Sequence, residues 1–279
     1  METASNAVEL RLRVRLWRNK GARIALVPTM GALHEGHMTL VRAAKARADK
    51  VVVSIFVNPA QFAPHEDFAR YPRDMAKDRG VLEAQGEADL IYAPGVAEIY
   101  PEGFATRVVV DGPAAGLESD SRPHFFSGVA TAVTKLFLHC APDFALFGEK
   151  DYQQLLVVKR LVKDLDLGLE VIGVPTVREP DGLALSSRNT YLSAEQRQVA
   201  GHLNRALRDV AERATAGVSI PQAEAEGAAA LLGAGFDRVD YVAIRDAQTL
   251  ARLRDLSNPA RVLAAARVGA VRLIDNMAV

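Results

Sequence analysis

The stretch that decides the fold is "VPTMGALHEGHMTLVRAAK", residues 27–45. It begins in the apolar run "RIALVPT" (23–29), which predicts a strand, and it continues into helical spacing over residues 36–48. Two histidines, His34 and His37, lie where the predicted strand gives way to the predicted helix. What these two side chains do at this junction is the first question that the sequence raises.

The same alternation of strand and helix continues on both sides of this stretch. The run "VVVSIFVNP" (51–59) is continuously apolar and β-branched, as strands covered on both faces are. Further strands are predicted at 88–94, 105–112, 142–151 and 169–177, and helices at 8–20, 74–86, 128–141 and 152–165. This order predicts an α/β fold, a Rossmann-like doubly wound parallel sheet.

The pattern changes after "REPDGLALSSRN", residues 178–189. Two helices are predicted there, and three strands follow, the last two joined by a tight turn near Gly269. The helices cover 194–216 and 221–235, and the strands cover 239–246, 260–268 and 271–276. The sequence therefore predicts two domains, residues 1–176 and a smaller C-terminal α+β domain at 177–279.

Composition excludes several classes of function. Lys plus Arg and Asp plus Glu both number 34, so no overall charge attracts nucleic acid or an anionic membrane. The one cysteine, Cys140, cannot form an internal disulfide or a cysteine-based zinc site, and its apolar neighbours predict a buried thiol. The N-terminus does not resemble a signal peptide and no segment has the roughly 18 apolar residues of a membrane span, which favours the cytoplasm.

Three interpretations of His34 and His37 are open. A zinc protease needs two histidines four apart with glutamate directly after the first, and "HEGH" has the wrong spacing. A helix start after a strand attracts phosphate through its backbone N–H groups, and Gly31 and Gly36 would let a large ligand approach. The remaining interpretation is structural, a helix cap with a buried histidine.

The strand, "PTMGALHEGH" and the helix resemble the HxGH signature of the nucleotidylyltransferase and class I aminoacyl-tRNA synthetase superfamily. In that superfamily the two histidines bind ATP phosphates, and a mobile KMSKS-type loop closes over the triphosphate. "GLALSSRN" (182–189) lies where such a loop is expected. Ser186, Ser187 and Arg188 would offer hydroxyl and guanidinium donors to phosphate oxygens.

Six stretches resemble one family within that superfamily, the pantoate–β-alanine ligases. They are "VPTMGALHEGH", "SIFVNPAQF", "EDFARYPR", "FGEKDYQQL", "VPTVREPDGLALSSRNTYLS" and "RLIDN", in the family's order and spacing. The resemblance runs from about residue 8 to the C-terminus. It implies that ATP activates pantoate as pantoyl adenylate and that β-alanine then displaces AMP to give pantothenate.

The resemblance also implies site residues, cofactors and partners. Mg²⁺ would arrive with the substrate ATP rather than in a metal site of the protein's own. The C-terminal domain would act as a lid, and the chain would form a homodimer.

The catalytic residues would be His34, His37 and Lys150. The ATP-binding residues would be Met30, Gly31, His34, His37, Gly148, Glu149, Lys150, Asp151, Val177, Leu185, Ser186, Ser187 and Arg188. The pantoate-binding residues would be Met30, Asn58, Gln61 and Gln154, with Gln61 also at the β-alanine position.

Several alternatives stay open. Gln61 could be an amide that only stabilises a turn. The family usually reads SRPGHFxGV where this chain has "SRPHFFSGV", so either His124 replaces the family's histidine or the loop contributes shape alone. A plain nucleotidylyltransferase would share the HxGH signature, and a non-catalytic nucleotide-binding module would share the fold.

Overall fold

The computed structural model describes residues 1–63 and 66–279. The chain divides into two compact units. Unit 1 comprises Met1–Glu149 and Val157–Pro175, and unit 2 comprises Lys150–Leu156 and Thr176–Val279. The predicted domain boundary between residues 176 and 177 stays a prediction, and each unit is described by itself.

Unit 1 contains a six-stranded sheet in which every strand pair is parallel. Its strands are β1 (Glu2–Ala4), β2 (Ile24–Thr29), β3 (Lys50–Ile55), β4 (Leu90–Tyr92), β5 (Phe144–Gly148) and β6 (Glu170–Val174). Their order across the sheet is β1-β4-β3-β2-β5-β6. The predicted parallel α/β sheet is therefore confirmed.

Seven helices in the described part of the chain connect or flank these strands. They are α1 (Ala7–Arg18), α2 (Glu35–Lys45), α3 (Met75–Gln85), α4 (Val96–Ile99), α5 (Glu118–Ser121), α6 (Phe125–Cys140) and α7 (Tyr152–Asp164). Ala25 and Val27 of β2 pack with α2, whereas Ile24 and Leu26 alternate to the other face and are also fully buried. Burial on both faces is what a doubly wound sheet requires.

Unit 2 contains a three-stranded antiparallel sheet and three further helices. The helices are α8 (Ala194–Ala200), α9 (His202–Thr215) and α10 (Ile220–Gly233), and the strands are β7 (Arg238–Asp246), β8 (Ala260–Val268) and β9 (Val271–Ala278). Apolar residues of α9 and β8 share one core. The predicted turn is confirmed, with Gly269 at φ 56 between β8 and β9.

Two predictions of secondary structure are wrong. Residues 105–112 form no strand, and Val109 is 65% exposed; the place beside β4 is taken by β1. The predicted helix 194–216 is two helices that meet at Gly201. A Cβ at Gly201 would lie 2.6 Å from Asp181 Oδ2, so a larger residue there would displace the Asp181 side chain.

Two further predictions concern burial. Cys140 is fully buried at the end of α6, as predicted, and burial raises the pKa of its thiol to about 12. Among the described residues, no helix combines the length and the apolar character needed to cross a bilayer.

The sheet order places a switch point between β2 and β5. From β2 the chain builds outward through β3 and β4 on one side, and then through β5 and β6 on the other. Ligands of open α/β sheets bind outside the carboxyl ends of the strands at such a point. The residues after β2, β3 and β5 are therefore the ones to examine.

Candidate active site

The loop after β2 turns sharply. Gly31 and Ala32 both have positive φ, 81° and 52°. The Thr29 hydroxyl donates to Ser54 O (2.7 Å) and accepts from Gly31 N (3.2 Å), which ties the start of the loop to β3. Positive φ is costly for Ala32, which unlike Gly31 has a Cβ, so other contacts must hold this conformation.

Asp78 of α3 supplies those contacts. Its carboxylate is 2% exposed and accepts hydrogen bonds from Ala32 N (3.0 Å) and Leu33 N (2.8 Å). A Cβ at Gly31 would lie 2.8 Å from Asp78 Oδ2, so glycine is needed for this approach. No local pattern in the sequence indicates this role, because Asp78 lies 46 and 45 positions from the two residues whose N–H groups it binds.

The two histidines cap α2 reciprocally. His34 is the N-cap, and its Nδ1 accepts from Gly36 N (3.1 Å), while His37 Nδ1 accepts from His34 N (3.3 Å). The rings are half-buried, with centroids 4.1 Å apart. An Nδ1 that accepts carries no proton, so each neutral ring carries its proton on Nε2. The cap interpretation is therefore correct, and the same geometry orients two Nε2–H donors.

The turn after β3 brings three predicted pantoate residues together. Gln61 Nε2 lies 3.0 Å from Met30 Sδ, and Asn58 Nδ2 donates to Gln61 Oε1 (3.1 Å). Asn58 is 2% exposed. Its Nδ2 also donates to Gly128 O (3.0 Å), and its Oδ1 accepts from Ala60 N (3.2 Å) and Tyr100 Oη (2.8 Å).

Protein groups thus engage all four hydrogen-bonding positions of the Asn58 amide. This arrangement favours a role in holding Gln61 over direct contact with a ligand. The predicted contact of Asn58 with pantoate stays a prediction.

The divergent loop "SRPHFFSGV" braces the same turn. Arg122 donates to Gln61 O (3.0 Å), forms an ion pair with Glu66 (2.7 Å) and stacks 3.9 Å from the Phe125 ring centroid. A Cβ at Gly128 would lie 2.3 Å from Ala60 O, so the backbones meet there only because residue 128 is glycine. These contacts support the alternative in which the loop contributes shape. His124 Nε2 is buried without a hydrogen-bond partner in the described residues.

The end of β5 carries the next group of predicted residues. In unit 1, Gly148 pairs with Val174 of β6, and Glu149 begins a 3-10 turn that runs to Asp151. In unit 2, Lys150 Nζ lies 3.7 Å from Asp151 Oδ2. Gln154 is half-buried on the first turn of α7, whereas its neighbour Gln153 is 4% exposed.

Five predicted ATP-binding residues lie at one end of a small hairpin in unit 2. Leu185 N donates to Val177 O (2.9 Å), and Arg178 pairs with Ala184. Ser186 then caps a 3-10 turn, Ser187–Tyr191, by accepting from Arg188 N (3.3 Å). The structure thus places the serine–arginine stretch directly after the hairpin.

Comparison with known proteins identifies the family. The family model for pantoate-beta-alanine ligase matches residues 2–278. The chain belongs to the pantoate–β-alanine ligase family. The family stated as a resemblance in the sequence analysis is thereby confirmed.

Relatives in this family match almost the whole chain. The pantothenate synthetase of Bradyrhizobium sp. strain BTAi1 is 59% identical over 264 residues, which cover 94% of this chain and 93% of the relative. The pantothenate synthetase of Rhodospirillum rubrum is 56% identical over 277 residues, covering 99% and 98%.

Solved structures of the family have the same fold. The crystal structure of pantothenate synthetase from Thermus thermophilus superimposes with a TM-score of 0.93 at 51% identity, over 99% of both chains. The pantoate–β-alanine ligase of Francisella tularensis, solved with β-γ ATP and β-alanine, has a TM-score of 0.83 at 34% identity, over 100% of this chain and 97% of that chain.

Proposed function

We propose that this chain joins pantoate to β-alanine through a pantoyl adenylate, with His34 and His37 as the phosphate-facing donors. The overall activity follows from family membership. The chain is an AMP-forming ligase that makes the amide bond of pantothenate at the expense of ATP. The observation that carries the residue assignment is the reciprocal histidine cap at the start of α2.

The chemistry needs two displacements. A pantoate carboxylate oxygen attacks the α-phosphorus of ATP, the bond from that phosphorus to the bridging oxygen breaks, and diphosphate leaves. The neutral amine of β-alanine then attacks the activated carbonyl, the bond to AMP breaks, and the nitrogen releases a proton. Adenylation is required because AMP leaves readily, whereas oxide does not leave a free carboxylate.

The histidine cap suits the first displacement. Each Nδ1 is held by a backbone N–H, so neither ring can turn without losing a hydrogen bond. Donors that are fixed before the reaction stabilise charge as it develops at phosphorus, and one such donor contributes about 2.7–4 kcal/mol. The positive end of α2 adds attraction for phosphate at the same place. We assign His37 as the donor to the departing diphosphate.

Gln61 is the residue proposed to hold pantoate and to face β-alanine. Its amide can donate to a carboxylate and accept from a hydroxyl without adding a charge. Asn58 and Arg122 hold the turn that carries it. Gln154 is proposed as the second pantoate contact and Met30 as an apolar contact beside Gln61.

The residues in unit 2 are proposed to bind phosphate. Lys150 and Arg188 offer positive charge and Ser186 and Ser187 offer hydroxyl groups, all suited to phosphate oxygens. Mg²⁺ would arrive with ATP and would supply positive charge to its phosphate oxygens. In the described part of the chain, no cluster of three or more His, Cys, Asp and Glu side chains is placed to hold a metal ion.

Trapping the intermediate tests this proposal. The protein is mixed with Mg–ATP and pantoate but without β-alanine, and the bound ligand is analysed by mass spectrometry. We expect pantoyl adenylate with one equivalent of diphosphate, and AMP only after β-alanine is added. A plain nucleotidylyltransferase would instead transfer AMP to a phosphate acceptor, and a non-catalytic binding module would release no diphosphate.

Two further proposals are a homodimer, which rests on resemblance alone, and a cytoplasmic location, which rests on the sequence. Sedimentation equilibrium would test the first, since a dimer has twice the chain mass of 30.1 kDa. Fractionation of the source cells would test the second.

A further inference from the structure

The stretch "RLIDN", residues 272–276, contains none of the residues proposed to contact a substrate. It lies on β9, and two of its polar residues, Asp275 and Asn276, are only 3% and 2% exposed. Burying an amide and a carboxylate in a strand is costly unless each is fully hydrogen-bonded. The partners of these two side chains therefore indicate what they are for.

Asn276 holds the backbone of Lys150. Its Nδ2 donates to Lys150 O (2.8 Å), and its Oδ1 accepts from Arg261 Nε. The Arg261 guanidinium lies 3.8 Å from the Tyr152 ring centroid, and Tyr152 Oη donates to Ala247 O (2.7 Å). The backbone around Lys150 is thus held at the Lys150 carbonyl, by Asn276, and at Tyr152, by Arg261 and Ala247.

Asp275 holds the hairpin that precedes Ser186. Its carboxylate accepts two hydrogen bonds from Arg178 (2.7 and 2.9 Å), one from Asn204 Nδ2 (3.2 Å) and one from Asn276 N (2.8 Å). Arg178 in turn donates to Gly182 O (3.0 Å) and to Asn276 O (3.2 Å). The ion pair between buried Asp275 and half-buried Arg178 therefore links β9 to both the first side and the turn of the hairpin.

The hairpin transmits this constraint to the serine–arginine stretch. Glu179 N donates to Leu183 O (2.8 Å) and Leu185 N donates to Val177 O (2.9 Å), so the two sides are in register up to the residue before Ser186. Asn189 Nδ2 donates back to Ala184 O (3.0 Å). The direction in which Ser186–Arg188 leave the hairpin is set by these contacts.

We propose that Asp275 and Asn276 are positioning residues for phosphate binding, Asn276 through the backbone of Lys150 and Asp275 through Arg178 and the hairpin. The inference rests on the proposed roles of Lys150 and of Ser186–Arg188. A misplacement of about 1 Å in an active site can lower the reaction rate roughly 100-fold. A rigid backbone limits such misplacement for long, flexible side chains such as those of Lys150 and Arg188.

The Asn276 contact is tested with two substitutions that differ in one respect. Asn276→Asp keeps an oxygen for Arg261 but replaces the donor to Lys150 O with a second acceptor, and Asn276→Ala removes both contacts. We expect both variants to lose about tenfold in the single-turnover adenylation rate per folded molecule, with the KM for pantoate unchanged. Asn258→Asp, the same change at an exposed asparagine of unit 2, is the control and should match the unsubstituted protein.

A double-mutant cycle with Lys150→Ala separates positioning from a general effect on folding. If Asn276 acts through Lys150, Asn276→Ala should have little further effect on the adenylation rate once the Lys150 side chain is absent. A loss that is the same in both backgrounds would overturn the inference. If Lys150→Ala alone left the rate unchanged, the proposed role of Lys150 itself would be wrong, and the two failures are therefore distinguishable.

The Asp275 contact is tested through its partner, because Asp275 variants could unfold unit 2. Arg178→Lys keeps the charge but loses the paired hydrogen bonds. We expect the KM for ATP to rise about tenfold while the KM for pantoate is unchanged and circular dichroism shows a folded protein. A KM for ATP equal to that of the unsubstituted protein would overturn this half of the inference.

Discussion

The loop of unit 1 that carries the histidines and the hairpin of unit 2 that precedes Ser186 are each held by one buried aspartate, but in different ways. Asp78 accepts from two backbone N–H groups of the loop itself. Asp275 accepts from the guanidinium of Arg178, which then contacts the hairpin backbone. The first loop is held by hydrogen bonds to its own backbone and the second by an ion pair between side chains.

This difference determines what each loop tolerates. A carboxylate bound to backbone N–H groups needs the loop to adopt one backbone conformation, and here that conformation requires a glycine and a strained alanine. An ion pair between side chains constrains the backbone less directly, but removing either partner leaves the other without a counter-charge. Loss of either aspartate should therefore affect the two units to different extents.

The largest expected effect tests the ion pair. Asp275→Asn leaves Arg178 without its counter-charge, and we expect unit 2 to lose about 3 kcal/mol of unfolding free energy. Hydrogen exchange of β8 and β9 peptides measures this loss. If these amides were protected as well as before, the ion pair would not be what holds the hairpin.

The next largest effect tests the histidine cap. His37→Ala should lower the single-turnover adenylation rate by roughly 10² to 10³, because one preorganised donor is removed. Nucleotide affinity, measured by calorimetry, should change much less. His202→Ala, a histidine substitution on α9, is the control, and equal effects of the two changes would contradict the assigned role.

A smaller effect is expected at the other aspartate. Asp78→Asn replaces one acceptor with a donor that faces a backbone N–H, and this should destabilise unit 1 on the order of 1–3 kcal/mol. Asp74→Asn is a matched change on the same helix, where asparagine is also a good N-cap. A larger loss for Asp78→Asn than for Asp275→Asn would reverse the comparison between the units.

The strain in the histidine loop can be separated from its contact with Asp78. Gly31→Ala and Gly21→Ala both place an alanine at positive φ, 81° and 77°, but only at Gly31 does the new Cβ meet another group. We expect Gly31→Ala to cost about 1–2 kcal/mol more than Gly21→Ala. Denaturant unfolding of the two variants measures the difference, and equal costs would mean that the approach of Asp78 is not tight.

A separate prediction concerns acid. His139 is buried in unit 1, and its Nδ1 lies 2.7 Å from Tyr92 Oη. Burial, together with the nearby positive charges of Lys135 and Arg11, lowers the pKa of His139 to about 4. Because the unfolded chain binds this proton near pH 6.5 and the folded chain does not, stability is complete above that pH. It should fall by at most about 1.4 kcal/mol per pH unit between pH 6.5 and 4.

Fluorescence of Trp17, the one tryptophan, reports unfolding of unit 1 across this range. His139→Gln keeps an acceptor for Tyr92 but cannot be protonated. This variant should flatten the acid dependence, and an unchanged slope would assign the acid sensitivity to other groups.

Most strands and helices were predictable because they are local patterns. The apolar runs before Pro28 and around Val53 predict buried strands, and the apolar spacing over residues 36–48 predicts the helix that follows them. The prediction failed at 105–112, where the residues have strand propensity but β1 pairs with β4. Propensity describes a segment, whereas pairing depends on which other segment occupies the edge.

The sequence by itself determined the parallel α/β fold, the family and the chemical identity of the residues proposed for the site, because these depend on residue types at short spacings. Only the tertiary structure showed that Asp78 holds the histidine loop, that Asn58 is fully engaged, and that Asp275 and Asn276 reach Arg178 and Lys150. The physical reason is distance along the chain. Hydrogen bonds between residues 45 to 126 positions apart form only when the strands and helices have packed, and no local pattern encodes them.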